Sequence, residues 1–131
     1  MLADTTILVL SAILTFLMLG TASGLRCQIW SRGGIARGLG NRDDLSEPTP
    51  LAARADRAAK NMVENLVLYI ALVCGLHFTG TTSAMAQLGA NIFFWARLVY
   101  WPAYLAGLVP LRTIIWLVSI LGLALMAAAA V

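Results

Sequence analysis

The sequence predicts an all-α membrane protein built as a bundle of four transmembrane helices, and three observations carry that reading. Apolar residues make up 60% of the chain and charged residues 11%, against roughly a quarter charged in soluble domains. Apolar runs long enough to cross a bilayer recur along the chain, a crossing needing about 20 such residues. The charge is segregated: seven of the nine basic residues fall between Arg26 and Lys60. At 131 residues, residues 1–131 form one domain of about four spans with little chain left over.

The same pattern excludes several function classes. The net charge of +3 describes orientation in a membrane, and no basic patch interleaved with aromatics argues for a nucleic-acid partner. Cys27 and Cys74 lie in different settings, with no CxxC pair, and read as free thiols. His77 is the only histidine, so no metal site is expected.

The first helix is expected over residues 5–25, an apolar run preceded by Asp4 and by no basic segment, and followed by no small-residue cleavage site. It reads as a retained helix rather than a signal peptide. From 26 to 50 the composition changes to arginine, glycine and, near the end, Pro48 and Pro50. The arginine excess places this long loop on the cytoplasmic side, with Trp30 suited to the headgroup belt. Just past Pro50 the second helix begins and runs over 51–78. The uncharged turn Thr79 to Ser83 leads to a third helix at 84–108. Gly107 to Pro110 is a tight connection, and the fourth helix occupies 111–131. Alternating spans put both termini outside, and a bacterial inner membrane is the expected location.

The second helix begins charged and ends apolar. At about 100° per residue, Arg54, Arg57, Asn61 and Glu64 share one stripe less than a third of the circumference wide. Ionisable groups at membrane depth cost several kcal/mol unless they face protein or a wet cavity. Arg54, Asp56 and Lys60 are close enough to the interface to cap or snorkel; Glu64, about 15 Å along the axis from Arg54, is too deep for a carboxylate to do so. Arg97 on the antiparallel third helix lies at a similar depth. The residues by themselves read Glu64 and Arg97 as a buried ion pair locking two helices together. Arg54, Arg57, Lys60 and Arg112 leave an excess of positive charge, and Tyr100 and Tyr104 add hydroxyls. Such a surface suits either a small anion with several carboxylates or the headgroups of anionic lipids.

The spacing Arg54-x-x-Arg57-x-x-x-Asn61-x-x-Glu64, then Arg97-x-x-Tyr100-x-x-x-Tyr104 and Pro110-x-Arg112, resembles the MAPEG family, the membrane-associated proteins of eicosanoid and glutathione metabolism. The likeness extends over essentially the whole chain, and Asn41-Arg42-Asp43 resembles the bacterial members. The chain departs from the pattern at Ala59, where many relatives have histidine, and at Lys60 and Tyr100, where others have histidine or a basic residue. The resemblance implies a homotrimer of four-span subunits binding glutathione between neighbours near the cytoplasmic face. By position it assigns Arg54, Arg57, Asn61, Glu64 and Tyr104 to glutathione, Arg97 to a structural pair with Glu64, and Arg112 to stabilising the thiolate. The second substrate would be a lipophilic electrophile or a lipid hydroperoxide. The alternative is a non-catalytic subunit that keeps the fold and serves as a scaffold or lipid-binding partner in a larger membrane complex.

Overall fold

In α1 (Asp4–Cys27), Ile7, Ser11, Leu14, Thr15, Met18 and Ala22 are buried. Their three- and four-residue spacing draws a single stripe down the helix. The other flank exposes Val9, Ile13, Phe16 and Leu17, a surface suited to lipid. The computed structural model describes residues 4–131, so the first three residues of the expected domain lie outside the description. Four further helices follow: α2 (Gly34–Leu39), α3 (Pro50–Phe78), α4 (Ala84–Leu105) and α5 (Val109–Ala130).

The segment expected as a plain loop holds α2 and is tied down by its arginines. Arg37 donates from Nε to the Cys27 carbonyl at 3.2 Å and from Nη2 to Ser31 Oγ at 2.6 Å. Arg42, at φ 63°, donates from Nη2 to Ser23 Oγ at 3.0 Å and to the Gly38 carbonyl at 2.9 Å. Both guanidiniums thus fasten the connection to the end of α1.

α3 opens on Pro50, whose missing N–H costs nothing in a first turn. Ahead of it Thr49 caps the helix, its Oγ1 accepting from the Ala52 N–H at 3.2 Å. Thr49→Ala should therefore lower stability by about 1 kcal/mol, measurable as a small fall in melting temperature in detergent. At 29 residues α3 is about 44 Å long, well beyond a hydrocarbon thickness of about 30 Å. Its charged first third has room outside the apolar layer. Ala52, Ala55, Ala58 and Ala59 are buried, small side chains that let neighbouring backbones approach.

At the far end Gly80 turns the chain at φ 66°, and Ser83 caps α4 by accepting from the Met85 N–H at 3.2 Å. α4 lies innermost: Ala90, Phe93 and Arg97 have no exposed surface. Phe93 stacks on Tyr69 of α3 with ring centroids 4.8 Å apart and planes 3° from parallel. α4 ends at Leu105, short of the expected 108, because Gly107 reverses the chain at φ 76°. α5 starts at Val109 rather than 111, since Pro110 fits inside its first turn.

Among the described residues three helices are long and apolar enough to cross a membrane: α1, α3 and α5. α4 has comparable length, but Gln87, Asn91 and Arg97 interrupt its apolar run, and Asn91 and Arg97 are turned inward. The molecule is an integral membrane protein made of helices.

Candidate functional site

One cavity gathers side chains from three helices. It is lined by Asn61 of α3, Tyr100 and Tyr104 of α4, and Arg112, Thr113 and Trp116 of α5, and it measures about 220 Å³. Helix periodicity builds it. Tyr100 and Tyr104 are four residues apart and share a face, as do Arg112 and Trp116. The short turn through Gly107 folds α5 back along α4, bringing these two faces together.

Inside the cavity the Tyr100 and Tyr104 rings meet edge to face, with centroids 5.4 Å apart. The Arg112 guanidinium carbon sits 4.4 Å from the centre of the Tyr104 ring, a cation–π contact that holds the charge in place while leaving its N–H groups free to donate. Thr113 bonds within its own helix, Oγ1 donating to the Val109 carbonyl at 3.1 Å. The Trp116 indole nitrogen is buried with no hydrogen-bond partner among the described residues.

Arg97 lies just behind this lining with no exposed surface. Its Nη1 donates to Asn61 Oδ1 at 2.6 Å, and its guanidinium carbon stands 5.6 Å from the Phe93 ring centre and 5.2 Å from that of Tyr100. Nε and Nη2 have no hydrogen-bond partner among the described residues. Among the described residues Arg97 makes no ion pair with the expected Glu64; Asn61 takes the guanidinium instead. Depth explains the correction. Asn61 is ten residues past Leu51 and Arg97 ten before Gly107, whereas Glu64 is about one turn deeper and faces outward, exposed.

The remaining predicted residues do not join the cavity in a single chain. Arg54 packs at the α4–α5 turn: its Nη1 would come within 3.2 Å of a Cβ on Gly107, and its Nε is buried without a partner. Arg57 is exposed and lines a second cavity of about 320 Å³ together with Arg26, Pro48, Ala52, Ala53 and Asp56. Lys60 pairs at the surface with Asp56 at 2.9 Å. The expected cluster thus divides: Asn61, Tyr104 and Arg112 converge, while Arg54, Arg57 and Glu64 face elsewhere. Trp116 was not anticipated; its place one turn beyond Arg112 on the same face was the available signal.

The chemistry of the cavity is one-sided. Asn61, both tyrosines, Arg112 and Trp116 all bring hydrogen-bond donors, and no carboxylate lines it. A guest there is favoured if it is anionic and rich in acceptors. Its size falls short of the roughly 300–1,000 Å³ usual for a complete small-molecule site.

No curated protein and no solved structure matches the chain. The description of the MAPEG family matches residues 5–131, nearly the whole length, and takes in all four long helices and every residue of the cavity. The chain belongs to the MAPEG family.

Proposed function

We propose that this protein is an integral membrane glutathione-binding enzyme, a transferase or peroxidase acting on lipophilic electrophiles or lipid hydroperoxides. The observation that supports this most is the donor-lined cavity with Arg112 held at its wall. Glutathione offers two carboxylates, amide carbonyls and a sulfur that becomes anionic, which match a lining made of donors.

In this reading α4 is the fourth span, the Arg26–Pro50 loop faces the cytoplasm of a bacterial inner membrane, and three copies assemble. Glu64 supports assembly. It is exposed on α3 beside Val63, Val67 and Leu68, themselves 39%, 61% and 55% exposed, and a carboxylate on such a face is costly against lipid. A neighbouring copy covering that face would give Glu64 partners and enlarge the incomplete cavity. Arg54 and Arg57 would then reach glutathione across the boundary between copies.

The chemistry needs a thiolate. A free thiol has a pKa of about 8.5, and a fixed guanidinium favours its ionised form. Arg112 supplies that charge, and the Tyr100 and Tyr104 hydroxyls can donate to the same sulfur. In transfer, the thiolate forms a C–S bond and the electrophile's leaving group or opened oxygen takes a proton. In peroxide reduction, the thiolate attacks the O–O bond, releasing the lipid alcohol and leaving a sulfenic acid. A second glutathione then yields the disulfide and water.

Calorimetry of the detergent-purified protein with glutathione is the direct test. Heat of binding, reduced by competition from S-hexylglutathione, is expected. Absence of both would remove the glutathione reading and leave the scaffold alternative.

A further inference from the structure

We infer that Arg97 is a positioning residue that sets which way the Asn61 carboxamide faces, so that Asn61 donates to glutathione; this rests on the glutathione reading above. A guanidinium has no acceptor atom, so the Asn61 atom lying 2.6 Å from Arg97 Nη1 has to be the oxygen. With Oδ1 fixed there, Nδ2 is the atom left for a guest. Asn61 lines the cavity and is half-buried, and among the described residues its side-chain bond is the one from Arg97 to Oδ1.

Arg97 is suited to this task by what surrounds it. It has no exposed surface, and the rings of Phe93 and Tyr100 flank its guanidinium, so it is held without touching the cavity guest. Asn61 is anchored independently at its backbone, where its carbonyl accepts from Asn65 Nδ2 at 2.8 Å. The carboxamide itself would otherwise be free to turn over and present its oxygen to an anion. Arg97 removes that freedom. The consequence is selectivity: the α3 wall of the cavity offers a donor and repels nothing on an anionic guest.

The test compares Asn61→Asp with Asn61→Ala. Aspartate still accepts from Arg97, so the protein should melt as the parent does, but its second oxygen turns a negative acceptor toward the cavity. Glutathione affinity measured by calorimetry should fall more than tenfold in Asn61→Asp and less in Asn61→Ala, the scale of one hydrogen bond to a charged group. Loss of a mere contact predicts the reverse order. In Arg97→Met the carboxamide is released and affinity should drop to the Asn61→Ala level, while Arg97→Lys, which keeps a donor and has no acceptor atom, should recover part of it. Without any ligand, the Asn61 carboxamide signals of protein labelled with ¹⁵N-asparagine should shift in Arg97→Met and move back toward the parent in Arg97→Lys. Aspartate binding as tightly as alanine, or unmoved carboxamide signals in Arg97→Met, would overturn the inference. Failure of the unaltered protein to bind glutathione would overturn the glutathione reading and this inference together.

Discussion

Replacing Arg112 with alanine should lower turnover of glutathione with an electrophile by roughly a hundred- to a thousand-fold, the scale of losing one group aimed at a developing or fixed anion, while glutathione affinity falls far less. Arg112 is the only cation lining the cavity, and its hold on Tyr104 at 4.4 Å keeps the guanidinium from swinging into solvent. The pH dependence separates its effect on the thiol from a general loss of structure. If the cation acts on a bound thiol as proposed, the thiol should ionise below its free value and activity should already be near its plateau around neutrality. Without it, the thiol returns toward about 8.5, and activity should climb as pH rises from 7 to 9. Arg112→Lys should keep part of the effect, since it retains a positive charge but loses the planar fork. Unchanged turnover in Arg112→Ala, measured at several pH values, would remove Arg112 from the chemistry.

The residues of the cavity show which features a one-dimensional pattern carries. Tyr104, Arg112 and Asn61 were recognisable because their spacing within each helix puts them on single faces. Depth, counted in residues from the nearest turn, put Glu64 and Arg97 at a similar level, and Asn61 lies three residues before Glu64. That count separates Asn61 from Glu64 by only one helical turn, and a turn decides which side chain a guanidinium reaches. The direction of a face is harder to read than its existence. Arg54, Arg57 and Glu64 share the stripe with Asn61, yet α3 is long and its neighbours change along it. Arg54 therefore meets the Gly107 turn, Arg57 lines a cavity with Arg26 at the end of α1, and Glu64 is exposed. Helix ends were shifted by residues that serve two purposes, such as Pro110, which reads as a break and acts as a start. The folded loop was hidden for another reason. Glycine and arginine between 31 and 42 look like a linker until Arg37 and Arg42 are seen bonding to carbonyls and serines of α1 and the loop.

Placing a single methyl group at Gly89 should destabilise the protein by about 3 kcal/mol, the upper range for overpacking a fitted interface. A Cβ there would stand 2.5 Å from the Gly122 carbonyl oxygen and 2.8 Å from Met126 Cγ, and one at Gly122 would stand 2.6 Å from the Gly89 carbonyl oxygen and 2.8 Å from the Phe93 nitrogen. The Met126 side chain could turn aside, but backbone atoms of two hydrogen-bonded helices cannot, so relief comes only by moving α5 away from α4. Lipid supplies little hydrophobic drive to press helices together, and close backbone packing at small residues has to provide the attraction. The cost reaches the cavity as well. Gly122 lies ten residues from Arg112 on α5, about 15 Å, and a helix pushed outward at one point carries Arg112 and Trp116 away from Tyr104. Gly89→Ala should therefore lower both the melting temperature and the affinity for glutathione. Gly20→Ala is the control: nothing lies within 4 Å of a Cβ at that position, so it should be neutral or stabilise by up to about 1 kcal/mol through better helix propensity. The double variant Gly89→Ala with Gly122→Ala should cost less than the sum of the two, because the first methyl already opens the gap that the second needs. Strict additivity, or a Gly89→Ala protein that melts with the parent, would show that the two helices are not in backbone contact and that α5 takes its position from the turn at Gly107 alone.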